Sequence, residues 1–393
     1  MSAPLDIVTP TDTTRAARPS LDALGMADVA PGSRVAVAMS GGVDSSTVAA
    51  LLVEAGFDVV GITLQLYDSG AATGKPGTCC AGSDIQDARS VARHLGIPHY
   101  VLDFESRFKA DVIEPFAAAY ARGETPIPCV SCNRTVKFRD LLTIARDLGA
   151  AALATGHYAR RVVGAIGPEL HAAADASRDQ SYFLFATRAD ELAYLRFPLG
   201  SAANKAETRA HAARLGIAIA DKPDSQDICF VPNGDYANVV AKLRPDAVEP
   251  GDIVHVDGRV LGRHDGIIHF TVGQRRGVGV GGIDGASSER LYVVRLEPES
   301  RRVIVGPREA LATATARIVG LSWLGGATTP GRRVAGEVKI RSAQAPVAAE
   351  LTFGPAGEAQ IAFAAPEFGV APGQACVIYD GGRVLGGGFI ARN

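Results

Sequence analysis

Apolar and polar positions change period along the chain, and each change predicts an element. Residues Arg34-Val35-Ala36-Val37-Ala38 alternate as a half-buried strand does. Beyond a Ser/Gly-rich turn, Val48, Leu51, Leu52 and Ala55 fall at helical spacing, and Gly56 stands where a C′ residue belongs. Phe57 to Leu66 read as a second strand. Asp84 to Leu95 read as a helix with Asp84 at its N-cap or first turn and Gly96 just past its end. His99 to Leu102 predict a short strand, and 106–121 and 133–148 predict helices, the second stopped by Gly149. Ala151 to Thr155 predict a buried strand ending at Gly156-His157. Repeated βα units of this kind predict an α/β fold, a doubly wound parallel sheet with helices on both faces. Its ligand crevice opens at the carboxyl ends of the strands, where the turns at Ser40 and Gly156 lie.

From 160 to 230 the pattern is helical and mixed. After about 245, helical spacing disappears and short Gly- and Val-rich strands take over, as in Pro250-Gly251-Asp252-Ile253-Val254. The expected organisation is a disordered extension over 1–33, an α/β unit over 34–235, a small, mostly-β central domain over 236–312 and a C-terminal β-barrel over 313–393. Gly277-Val278-Gly279-Val280-Gly281-Gly282 satisfies G-x-G-x-x-G, but no amphipathic helix follows it. It reads as a glycine loop beside Arg275-Arg276, not a dinucleotide site.

Composition narrows the classes. With 393 residues, 47% apolar and 21% charged, the chain has material for two or three globular units. No apolar run reaches the roughly 18 residues of a membrane span. The net charge of −2 excludes a polycation, so a nucleic acid would be held by local patches. Candidates are Arg160-Arg161, Arg275-Arg276, Arg301-Arg302, and Arg332-Arg333 with Lys339 and Arg341. Six cysteines, at 79, 80, 129, 132, 229 and 376, do not form a disulfide framework and point to a reducing compartment, the cytoplasm.

The turn Ser40-Gly41-Gly42-Val43-Asp44-Ser45 carries the most chemistry. Two glycines let the backbone approach an anion, serines offer hydroxyls, and the following helix aims its unpaired N–H groups at the same spot. No Lys-Ser or Lys-Thr follows, so this is not a Walker A loop. Cys132 lies in Pro126-Ile127-Pro128-Cys129-Val130-Ser131-Cys132-Asn133-Arg134, before the helix expected from 133. That position, with Arg134 and Lys137 nearby, would favour thiolate. Cys229 is a partner for sulfur transfer or a buried apolar residue between Ile228 and Phe230. Cys129, Cys132 and Cys229 leave open a metal site, zinc with a ligand such as His157 or an iron–sulfur cluster.

The glycine turn resembles the PP-loop ATP pyrophosphatase signature. Further runs follow in order: Cys132-Asn133 before Lys137-Phe138, Ala154-Thr155-Gly156-His157-Tyr158 and Asp179-Gln180-Ser181-Tyr182-Phe183. Then come Asp224-Ser225 with Ile228-Cys229-Phe230, Phe270-Thr271-Val272-Gly273-Gln274-Arg275-Arg276-Gly277, and Pro372-Gly373-Gln374. Together they resemble the tRNA-specific 2-thiouridylase family from about residue 34 onward.

The resemblance implies that Ala38, Met39, Ser40, Gly41, Gly42, Val43, Asp44 and Ser45, with Leu64 and Gly156, bind ATP with Mg²⁺. It implies Cys132 as nucleophile and Cys229 as persulfide carrier, the two ending as a disulfide. His157, Arg178, Asp179, Gln180, Arg341, Ser342 and Gln374 would contact tRNA, whose wobble uridine receives the sulfur at C2. The implied partners are tRNA and a persulfide donor such as a cysteine desulfurase or sulfur-relay protein, with no membrane. Many family members carry an aspartate where Cys129 stands here, which keeps a 4Fe-4S cluster on Cys129, Cys132 and Cys229 open. The alternative activity is that of another PP-loop adenylating ligase.

Overall fold

The computed structural model describes residues 18–67, 80–224, 228–231, 234–279 and 290–392, without the side chains of 80 and 81. The first strands are β1 (Arg34–Ala38), β2 (Asp58–Gln65), β3 (His99–Asp103), β4 (Ala152–Thr155), β5 (Arg160–Val163), β6 (Pro168–His171) and β7 (Leu195–Arg196). Five of them form a parallel sheet in the order β3-β2-β1-β4-β7. The order reverses beside β1, so the loops leaving β1 and β4 flank the crevice of the sheet.

Alternation divides the sheet between two cores. Val35, Val37, Val59, Ala152 and Ala154 pack with helices α1 (Val43–Glu54) and α2 (Cys80–Leu95). Ala36, Val60, Ile62 and Leu153 face the other way, onto Phe138, Leu141, Leu142 and Ala145. A third helix runs over 105–121. A fourth, α4, runs over 128–147 and carries that second set of apolar residues. Shorter helices follow: α5 (Ala189–Tyr194), α6 (Lys205–Arg214) and α7 (Tyr236–Leu243).

A four-stranded sheet follows: β8 (Gly251–His255), β9 (Val260–His264), β10 (Tyr292–Glu297) and β11 (Arg302–Gly306), ordered β10-β11-β8-β9. The last six strands are β12 (Ala312–Trp323), β13 (Arg333–Lys339), β14 (Val347–Phe353), β15 (Ala359–Phe368), β16 (Ala375–Asp380) and β17 (Arg383–Ile390). They pair antiparallel as β12-β15-β14-β13-β16-β17, and β12–β17 pairing closes them into a barrel. Among the described residues no helix is long and apolar enough to cross a membrane.

Besides the helix expected from Asp84, which begins at Cys80 and leaves Asp84 past its first turn, three local expectations need correction. The extension expected to be disordered over 1–33 is folded over its described part. Leu24, Met26 and Val29 are buried in the first core, and Asp28 pairs with Arg161 and Arg196 at 2.9 and 3.0 Å. Its apolar residues are too sparse to show a period, yet they join the core that α1 also enters. Second, the helix expected from 133 begins at Pro128, a residue whose fixed φ suits the first helical turn. Third, the stretch expected to be helical and mixed after 160 contains the β5–β6 hairpin, and β6 pairs with β17 of the barrel. Val278, in the glycine run, is buried in the central domain's core, and 280–289 lie outside the described residues.

Candidate active site

The turn after β1 is a preformed cradle. Gly41 has φ +77°, and a Cβ there would lie 2.0 Å from the Asp84 carbonyl oxygen, so only glycine fits. No side chain caps α1 at Gly42, which leaves its first N–H groups open to an anion. The Ser45 hydroxyl accepts from the Ser40 N–H at 3.1 Å and lies 3.3 Å from the Ser40 hydroxyl. Gly156, at the end of β4, is equally constrained: a Cβ would lie 2.8 Å from the Ser45 nitrogen.

Two adjoining cavities open from this cradle. One, of 320 Å³, is lined by Ala38, Met39, Ser40, Ser45, Ile62, Leu64, Gly156 and His157. Its apolar floor between two strand ends suits a base and sugar. The other, of 350 Å³, takes in Gly42, Val43, Asp84, Tyr158, Arg178, Lys222, Asp224 and Cys229. Ser40, Asp44, Leu64, Leu66 and Gln180 line both.

Asp44 heads a charged network. Lys205, on α6 and nearly buried, donates to both its carboxylate oxygens at 2.7 and 2.8 Å, and the Tyr158 hydroxyl donates at 2.8 Å. Lys205 also pairs with Asp224 at 2.7 Å, and Arg178 reaches the same carboxylate at 2.7 Å. Burial and the Asp44 charge push the Tyr158 hydroxyl well above its ordinary range, so it stays a donor. Sequence reasoning missed Lys205. Its helix, Lys-Ala-Glu-Thr-Arg-Ala-His-Ala-Ala-Arg, reads as a solvated one.

The two thiols lie near one another, Cys229 on the lining of the second cavity. Cys132 belongs to an apolar cluster with Phe108, Phe116, Val136 and Phe230, and Ile228 packs on the same cluster. Cys229 therefore lies between two residues that touch Cys132's surroundings. Cys229 opens to the cavity, and the protein around it still pushes its thiol up to about 12. Burial acts most, the nearby Cys132 adds to it, and Lys137 opposes it.

Cys132 was expected at a helix N-terminus with a depressed pKa. It instead sits at the fifth residue of α4 and is nearly buried. Burial raises its pKa, and the Lys137 charge only partly offsets this. From 133 to 140 the helix takes π geometry, whose i→i+5 bonding carries Lys137 to the turn above Cys132. Lys137 lines the first cavity, and among the described residues no carboxylate or hydrogen-bond partner holds its ammonium. His157, between Phe138 and Phe197, donates or accepts at 2.8 Å with Thr155. Burial, and then Lys137, lower its pKa to about 3, leaving a neutral ring.

The other expected contact residues divide. Arg178, Asp179, Gln180 and Ser342 line a 760 Å³ groove between the parallel-sheet unit and the barrel. The Asp179 carboxylate, however, is used internally, accepting from Ala173 N–H, Ser181 N–H and the Ser181 hydroxyl. Arg341 donates to the Phe368 and Gly369 carbonyls, and Gln374 donates to the Thr125 carbonyl. Both stand away from that groove's lining.

A metal held by the cysteines does not fit. Among the described residues no three of His, Cys, Asp and Glu gather closely enough to hold an ion. Cys129 is exposed, whereas Cys132 is buried in the apolar cluster. Mg²⁺ makes a lighter demand. It binds through one or two carboxylates plus substrate phosphates, and Asp44 lines both cavities, its carboxylate held meanwhile by Lys205 and Tyr158.

Family models match along almost all of the chain: a tRNA methyl transferase HUP domain over 33–233, its PRC-barrel domain over 238–307, and an aminomethyltransferase beta-barrel domain over 314–390. The chain is 62% identical to the tRNA-specific 2-thiouridylase MnmA of Rhodospirillum centenum over 375 residues, 95% of each chain. It is 60% identical to that of Methylobacterium radiotolerans, covering 95% of this chain and 97% of the relative. The relative from Paracoccus denitrificans is 57% identical over 95% of both chains. With a pyrophosphate-type cradle, two converging thiols and identity at this level over nearly its whole length, the chain belongs to the tRNA-specific 2-thiouridylase family.

Proposed function

We propose that the protein is an ATP-dependent tRNA-uridine 2-sulfurtransferase acting in the cytoplasm on the wobble base. One observation carries the reading: Ser40, Gly42 and Asp44 of the cradle line the same cavity as Cys229. ATP would lie with its adenosine in the apolar cavity against Leu64 and Gly156 and its β and γ phosphates on α1. Mg²⁺, held by Asp44 and the phosphates, would neutralise their charge.

A uracil C2 carbonyl is a poor electrophile. Attack of its oxygen on the α-phosphate releases pyrophosphate and converts that oxygen into a leaving group. The terminal sulfur of a Cys229 persulfide then attacks C2 and AMP departs. The Cys132 thiolate attacks Cys229 Sγ, forming the Cys132–Cys229 disulfide and leaving sulfur on C2. A thiol reductant and a persulfide donor reset the cysteines. Lys137 lowers the pKa of both thiols, and its unpaired charge faces the nucleotide cavity.

The wobble base would reach the cavity by leaving the stack of the anticodon loop. Arg178, Gln180 and Ser342, which line the groove behind it, would hold RNA there. In this reading 34–235 is the catalytic unit, while 236–312 and 313–393 hold the tRNA body through phosphates.

The test is thiolation of unmodified tRNA with ATP and a persulfide donor. Wild type should yield 2-thiouridine, AMP and pyrophosphate. Another adenylating ligase on the same cradle needs no cysteine. Full turnover after changing both Cys132 and Cys229 would therefore replace the sulfurtransferase reading.

A further inference from the structure

The cradle has no lysine of its own, although pyrophosphate is a strongly anionic leaving group. The structure supplies a cation from elsewhere. Lys222 Nζ donates to the Gly41 carbonyl at 3.0 Å, to Asp84 at 2.7 Å and to Asp87 at 2.5 Å. It lines the cavity that holds Ser40, Gly42, Asp44 and Cys229. The other cation among the described residues of that lining, Arg178, is spent on Asp224.

The contact with Gly41 is specific. In a trans peptide the carbonyl and the next N–H point oppositely, so fixing the Gly41 oxygen orients the Gly42 N–H. That N–H, weakly held by the Ser40 hydroxyl at 3.4 Å, precedes the row of donors at the start of α1. The Asp84 backbone lies against Gly41 as well, so loop, α2 and Lys222 meet at one point. Lys222 is three-quarters enclosed, and its two carboxylates keep the ammonium charged against the effect of burial.

We propose that Lys222 is the pyrophosphate-binding cation of this loop, parked on Asp84 and Asp87 until phosphate oxygens displace them. The proposal rests on the cradle's reading as the ATP site and assigns the charge that neutralises the departing group. A lysine on a following segment does here what the loop lysine does in a Walker A site. Lys222 and the sulfur-bearing Cys229 line the same cavity.

The experiment measures equilibrium binding of inorganic pyrophosphate to the full chain by calorimetry in EDTA, with ATP binding in parallel. Lys222→Met should weaken pyrophosphate binding by about ten- to a hundredfold, and Lys222→Arg should restore most of it. Asp84→Asn with Asp87→Asn frees the lysine and should leave pyrophosphate binding equal or tighter. A merely structural bridge would make that double variant fail together with Lys222→Met. That result, or unchanged binding by Lys222→Met, overturns the proposal. A wild type that binds ATP but not pyrophosphate also overturns it while sparing the nucleotide reading. A wild type that binds neither overturns the nucleotide reading as well.

Discussion

The two halves of the reaction centre are prepared in opposite ways. On the nucleotide side the donors for an anion are in place, an uncapped helix reached through a left-handed glycine, and the Asp44 carboxylate is already held by Lys205 and Tyr158. Nothing there must change protonation before an anion binds. On the sulfur side, burial holds both thiols protonated, and Cys132 lies inside an apolar cluster. A thiolate in such a place would cost several kcal/mol without a compensating charge. The difference has a chemical use. An always-ionised thiol next to an activated carbonyl would attack it before a persulfide was loaded. The buried Cys132 and the cavity-facing Cys229 share Lys137 as a charge that lowers both their pKa values.

The sharpest test of this contrast is Cys229→Ser. Thiolation should fall at least about 10³-fold, while ATP affinity stays within about twofold, because the cradle owes nothing to the thiol. Equal loss of both would dissolve the distinction. Gly41→Ala should do the reverse, with nucleotide binding down about a hundredfold and the chain destabilised by ~1–3 kcal/mol. Persulfide loading of Cys229 should survive in the folded fraction, as cyanolysis to thiocyanate or mass spectrometry would report.

Lys137→Met should lower thiolation about tenfold near neutral pH. It should also move the acid limb of the rate profile to higher pH, since the lost charge is one that depresses both thiol pKa values. Alkylation of Cys229 measured against pH should move the same way. An unmoved profile would mean that Lys137 acts only on the nucleotide. A smaller effect concerns His157. Its folded pKa, about 3, is far below the unfolded value, so stability is full above about 6.5 and declines as pH falls toward 3. His157→Gln should flatten that decline in chemical denaturation. Smallest is Gln374→Ala, which removes one hydrogen bond to Thr125 and should cost ~1 kcal/mol, seen as faster proteolysis between the barrel and the loop at 125.

Local chemistry was readable before any coordinates. Gly41 and Gly42 announce their backbone needs, Ser40 and Asp44 stand beside them, and strand alternation at Val35 and Val37 assigns the face toward α1. Cys132 was misplaced by one turn because Pro126-Ile127-Pro128 reads as a loop, whereas Pro128 is the first helical residue. Lys205 could not be found that way. Its value comes from Asp44, 161 residues away, and its own neighbours look solvated. The β5–β6 hairpin failed for the same reason, since its partner strand begins only at Arg383.

That hairpin has a consequence for how the protein is made. β17 mates with β6, β16 and β12, and it leaves the ribosome after all three. Until it emerges, a nascent chain carries three open backbone edges, each a template for a stray strand. A ribosome that stalls before Arg383 would therefore release an aggregation-prone product whose nucleotide loop is already complete.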